Sequence, residues 1–168
     1  MYSSRTLHEG QLTSLQRAYL GRNSLSGPVP GEIGQLTSLQ YLQLKLNNFS
    51  GSLPAEIYWL TSLKSLNIAR NNFSGSVPPE IGRLTSLRTL NFGFNKLSGS
   101  VPADIGRLTS LQTLDLEENS LCGPVPAAIS RLTSLEILNL GHNSLSATAA
   151  VTPSAMSSAR KRRRGCAL

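Results

Sequence analysis

Apolar residues recur along this chain with a period of 24 positions, and Leu-Thr-Ser-Leu begins at Leu12, Leu36, Leu60, Leu84, Leu108 and Leu132. Five of these strings lead, at a fixed distance, to an apolar-x-apolar pair: Leu42 and Leu44, Leu66 and Ile68, Leu90 and Phe92, Leu114 and Leu116, Leu138 and Leu140. Alternation over so few residues predicts a short, half-buried strand. Because every unit returns to the same register, successive strands should stack in parallel about 4.8 Å apart, and six layers should span roughly 25 Å.

An asparagine follows each strand: Asn23, Asn47, Asn71, Asn95, Asn119 and Asn143. An amide both donates and accepts, so a column of them is expected to bond the turn backbones of successive layers. The simpler alternative is that each serves only its own turn. Five units then run through a small residue and glycine to Val-Pro or Leu-Pro, as in Leu25-Ser26-Gly27 followed by Val29-Pro30. Glycine opens backbone conformations closed to other residues, and proline fixes φ and ends ladder pairing. An extended piece leaving the strand layer is expected there, followed by a brief helical turn through Glu32-Ile33-Gly34 and its equivalents.

The combination of leucine, x, x, asparagine and then Leu-Ser-Gly-x-Val-Pro resembles the plant-type leucine-rich repeat. The likeness runs over about residues 12 to 146. It implies an α/β repeat solenoid of six 24-residue leucine-rich repeats. A parallel sheet would line its concave side, short helical or 3-10 turns its convex side, and the Ser-Gly-x-Val-Pro segments a second small sheet. Proteins similar in this way include ectodomains of receptor-like kinases and receptor-like proteins, and polygalacturonase-inhibiting proteins. They are non-catalytic recognition proteins of signalling and defence that dock ligands on or beside the concave face.

Several features depart from that pattern. The paired-cysteine caps are missing, Ala18 replaces the first strand leucine, and Ala147 takes the glycine slot of the sixth unit with no Val-Pro after it. Residues 1–11 therefore read as a degenerate partial repeat, residues 12–146 as six repeats, and residues 147–168 as a disordered basic tail. A fragment or truncated array is expected. No glycine-rich loop, His-Arg-Asp or Asp-Phe-Gly follows the repeats, so no kinase is encoded here.

Binding residues are expected where the strands are freed from packing. Reading the columns gives Tyr41 and Ile137, Gln43, Asn67, Asn91, Asp115 and Asn139, Lys45 and Glu117, then Leu46, Arg70, Phe94, Glu118 and His142. This strip is rich in amides, positive toward the early repeats through Arg17, Arg22, Lys45 and Arg70, and negative in the fifth. Such a surface suits a protein or peptide partner. Phe94, an aromatic beside Ala69, Gly93 and Gly141, is the sharpest candidate anchor, with Arg70 next to it. Tyr58 and Trp59 stand on the outer side where other units carry Gly-Gln, Gly-Arg or Ser-Arg. They are read either as a second contact or as packing against a neighbouring turn.

Composition alters this picture little. The net charge of +7 owes five units to Arg160, Lys161, Arg162, Arg163 and Arg164, which leaves the body near +2. Nucleic acid is therefore not an expected partner except through that tail, a candidate nuclear-import or phosphate-binding segment. The alternative readings are an intracellular nuclear or nucleic-acid-associated protein and a non-functional fragment of a receptor-like kinase. His8 and His142 lack acids or cysteines at ligand or triad spacing, and Asp115, Glu117 and Glu118 read as an exposed, solvated acidic patch. No enzyme, metal site or cofactor is expected. Cys122 and Cys166 outline no disulfide framework. With neither an apolar leader nor 18 consecutive apolar residues, the chain as written is expected to be cytoplasmic or nuclear, although the relatives are extracellular or at the plasma membrane. The sequons at Asn48 and Asn72 follow from the repeat consensus, and the oligomeric state is not legible.

Overall fold

The computed structural model describes residues 12–147, so the expected partial repeat before Leu12 and the basic tail lie outside the described residues. Each 24-residue unit forms one turn of a solenoid, called a layer below and numbered from the Leu12 unit. Strands Arg17–Tyr19, Tyr41–Gln43, Ser65–Asn67, Thr89–Asn91, Thr113–Asp115 and Ile137–Asn139 form one parallel sheet in chain order. The register is constant: Ala18 faces Leu42, then Leu66, Leu90, Leu114 and Leu138. A period of two puts those residues inward, and Leu42, Leu66, Leu90 and Leu114 are fully buried. Each such side chain contributes about 1.5–3 kcal/mol through burial.

A second six-stranded parallel sheet runs through Ser26–Gly27, Asn48–Gly51, Asn72–Ser76, Lys96–Gly99, Ser120–Pro124 and Ser144–Ser146. It differs in place from the expectation drawn from the family. From layer two onward the strands begin right after the asparagine column, and most stop at or just past the glycine instead of running on to Val-Pro. The cause is conformational: Gly27, Gly51, Gly75, Gly99 and Gly123 have φ between 75° and 83°, which breaks an extended run. The valines then turn inward, with Val29, Val77, Val101 and Val125 buried.

Prolines 30, 54, 78, 102 and 126 each precede a five-residue 3-10 turn, such as Gly31–Gln35 and Ala103–Arg107. These turns stack on the convex side, and their close approach depends on glycine. A Cβ at Gly106 would lie 2.5 Å from the Ala128 carbonyl oxygen, and one at Gly82 2.8 Å from that of Asp104. Layer two carries Tyr58 at this position instead. Its ring is buried, and its turn packs less closely on that of layer three than the turns of layers three, four and five pack on one another. The sequence left Tyr58 and Trp59 as one unit of two possible roles, and the structure separates them: Tyr58 is core, while Trp59 is 54% exposed.

Candidate functional site

The asparagine column fixes the loops that leave the strands. Asn71 donates from Nδ2 to the Leu44 oxygen at 3.0 Å and the Ile68 oxygen at 2.9 Å, and its Oδ1 accepts from the Phe49 amide at 3.0 Å. Asn47, Asn95, Asn119 and Asn143 repeat this bridge to the preceding layer. Among the described residues the Asn23 side chain bonds only the Leu20 and Gly21 oxygens of its own exposed turn. A second set of short bonds shapes the strand exits. Asn67, Asn91, Asp115 and Asn139 each accept, through Oδ1, the amide two residues on, at 3.0–3.3 Å. This Asx geometry holds their side chains in one orientation on the concave face.

Just before each ladder asparagine the backbone is left-handed. Arg22, Leu46, Arg70, Phe94, Glu118 and His142 have φ between 53° and 59°. Their amides continue the inter-layer ladder, with Leu46 bonded to the Ala69 oxygen at 2.9 Å and Phe94 to the Glu117 oxygen at 2.8 Å, so the repeat geometry imposes this conformation. Glycine or asparagine adopts it readily, whereas bulky side chains do so at a cost of about 1–2 kcal/mol each. All six side chains are exposed and form a ridge along one edge of the concave sheet. On it the Arg70 guanidinium lies over the Phe94 ring, 4.1 Å from its centroid. Arg17 lies 5.4 Å from the centroid of the Tyr41 ring, its register partner at the start of the next strand.

The acidic patch of layer five is less open than the sequence suggests. Asp115 and Glu117 are half-buried, and only Glu118 is exposed. The reason is crowding. The Asp115 carboxylate fits over Gly93, where a Cβ would stand 3.1 Å from its Oδ1, and Glu117 accepts from Asn139 Nδ2 at 2.9 Å. Burial pushes the Asp115 carboxyl above the usual aspartate range, with repulsion from Glu117 adding to the rise; hydrogen bonds from the Glu117 amide and the Asn91 side chain oppose it. His142 Nδ1 lies 3.5 Å from Glu118 Oε1, a pairing that spacing along the chain does not reveal but column position does. Both side chains are more than two-fifths exposed, so water weakens the pair.

Tyr41, Gln43, Lys45 and Asn67 are brought together on the same concave surface, half-buried, with Gln43 Nε2 donating to Ser65 Oγ at 3.0 Å. On the convex side a shallow cleft of about 420 Å³ lies between layers one and two, lined by Glu32, Gln35, Glu56 and Trp59 among others. Among the described residues no cluster of His, Cys, Asp and Glu is arranged to hold a metal, and no helix is long and apolar enough to cross a membrane. Both sequon asparagines, Asn48 and Asn72, are exposed on the second sheet. Arg160, Lys161, Arg162, Arg163 and Arg164 lie outside the described residues.

Leucine-rich-repeat family models match residues 38–60 and 61–121. The chain is 34% identical to a chain of the BIR3–SERK2 complex from Arabidopsis thaliana, with a TM-score of 0.67, covering 76% of this chain and 68% of that one. The chain belongs to the plant-type leucine-rich-repeat family. A second solved relative, the TDR receptor, is 37% identical with a TM-score of 0.77, over 78% of this leucine-rich-repeat chain and 23% of the receptor chain. A third, the plant peptide hormone receptor RGFR1 in complex with RGF2, is 36% identical with a TM-score of 0.59, over 74% of this chain and 24% of that one. The chain thus spans about a quarter of the length of these two receptors. No curated protein sequence matches it significantly. The family and its fold are typically non-catalytic.

Proposed function

We propose that this chain is a non-catalytic recognition module that binds a protein or peptide segment along its concave face, against the ridge of Leu46, Arg70 and Phe94. The observation that carries this reading is the cost of that ridge. Three bulky side chains occupy left-handed positions that glycine or asparagine would fill more cheaply, and they remain partly open to solvent, with Leu46 38% and Phe94 36% exposed. Conformational cost held at an exposed site is characteristic of surfaces kept for contact. The relatives support the same reading, since one is a two-protein complex and another is a peptide hormone receptor solved with RGF2. A planar guanidinium stacked on an aromatic ring also presents the residue types that dominate binding hot spots.

The test uses a displayed library of random linear peptides panned against the whole chain. Enriched peptides should lose about tenfold or more in affinity, roughly 1.4 kcal/mol, against the Arg70→Ala/Phe94→Ala variant, whose circular dichroism should match the parent. Equal affinity for the two proteins would refute the assignment.

A further inference from the structure

The concave face is divided by charge, layer by layer. Layer one presents Arg17 and Arg22, layer two Lys45 and layer three Arg70. Layer four presents no charge in these columns and offers Phe94. Layer five presents Asp115, Glu117 and Glu118 together. The positions where the chain enters the strands follow the same order, with Lys64 and Arg88 in layers three and four and Glu136 in layer six.

These two blocks do not neutralise each other. Among the described residues the single contact of ion-pair geometry is that of Glu118 with His142, inside the acidic end. The acidic layer is two layer spacings, about 10 Å, from Arg70 and three, about 14 Å, from Lys45, at or beyond the screening length of about 8–10 Å at physiological salt. Each block is thus free to attract opposite charge from a partner, and Phe94 in layer four lies between them. A uniformly anionic partner such as nucleic acid would meet repulsion at layer five, and a uniformly cationic one at layers one to three.

We infer that the partner is a linear peptide segment whose charge is divided into two blocks, acidic over layers one to three and basic over layer five, with an apolar side chain between them resting on Phe94. This rests on the concave-face reading above and specifies its ligand. An extended chain advances about 3.3 Å per residue, so about four residues should separate the blocks.

The experiment titrates the full chain with fluorescent synthetic peptides of one composition: three acidic residues, a four-residue spacer with one leucine, and three lysines. One pair carries the charges in blocks, in either chain direction, and another alternates them. Exposed charge pairs are individually weak, so the effect sought is their sum at low salt. The better of the block peptides should bind about tenfold tighter than the alternating ones, and the margin should shrink as salt rises. Arg17→Gln/Lys45→Gln and Glu117→Gln/Glu118→Gln should each remove that preference. Equal binding of block and alternating peptides, both weakened by Phe94→Ala, would overturn the charge division and leave the concave-face reading standing. Tighter binding of an oligonucleotide or an all-acidic peptide than of the block peptides would also overturn it, as would no measurable binding of any peptide at low salt. Peptide binding indifferent to Phe94→Ala and to both charge variants would overturn the concave-face reading itself.

Discussion

Replacing Asn71 by alanine tests whether the asparagine column holds the layers together. The Asn71 side chain makes four bonds with two layers, yet its loss does not orphan four groups, since the Ala69 oxygen also accepts from the Leu46 amide. The Leu44 oxygen keeps a bond at 3.0 Å from Asn47, and the Ile68 oxygen keeps one at 3.1 Å from Asn95, because each such carbonyl is shared by consecutive ladder residues. The Phe49 amide is different. Its bond to Asn71 Oδ1 is replaced by nothing, and Phe49 is buried. One buried donor left unpaired costs about 1–3 kcal/mol, and the thinned carbonyls push the result toward the upper end. At about 4 °C per kcal/mol for a domain of this size, the melting temperature should fall by about 4–12 °C. Asn23→Ala is the control, because among the described residues its side chain bonds only its own exposed turn and the Leu20 oxygen retains the Asn47 side chain at 2.8 Å. Its cost should stay within about 0.5 kcal/mol. Denaturant unfolding followed by circular dichroism measures both. Equal losses at Asn71 and Asn23 would show that the column acts as separate turn residues and refute the inter-layer account.

Three further outcomes follow from the same geometry. Phe94→Asn relieves about 1–2 kcal/mol of left-handed backbone cost but loses about 0.5–1 kcal/mol of cation–π contact and about 1–2 kcal/mol of burial of a ring that is 36% exposed, so thermal unfolding should show a loss of no more than about 2 kcal/mol while library-selected peptides bind more weakly. Asp115→Asn keeps the acceptor for the Glu117 amide and removes a partly buried charge, so it should melt higher at neutral pH. Because the Asp115 carboxyl titrates higher in the fold than in the unfolded chain, the folded state binds more protons in that window. Parental stability should thus fall as pH rises from about 4, the ordinary aspartate value, through the raised one, and the variant should lack this component in melts across pH. Gly106→Ala would put a Cβ 2.5 Å from a backbone oxygen and should cost at least about 1–3 kcal/mol by denaturant unfolding.

The solenoid was legible because each layer repeats one solution to the same packing problem. Leu42, Leu66, Leu90 and Leu114 announce a strand face by alternation, and recurrence at 24 residues then dictates parallel stacking. Columns of the alignment likewise located the concave residues and their charge order. What the sequence concealed depends on backbone conformation or on one unusual side chain. Nothing in the letters of Leu46, Arg70 or Phe94 reports a positive φ, since asparagine or glycine, the usual indicators, are absent there. Tyr58 and Trp59 are adjacent and similar, yet the 3-10 turn carries one inward and the other outward. The half-burial of Asp115 depends on the missing side chain of Gly93, one layer away.

The most direct test of concave-face recognition is to titrate the isotopically labelled chain with a library-selected peptide and follow backbone amide shifts by NMR. The account predicts that the changes cluster at Leu46, Arg70, Phe94 and the neighbouring exits Lys45, Ala69, Gly93 and Glu117. Changes centred instead on Glu32, Gln35, Glu56 and Trp59, the lining of the convex cleft, would contradict it.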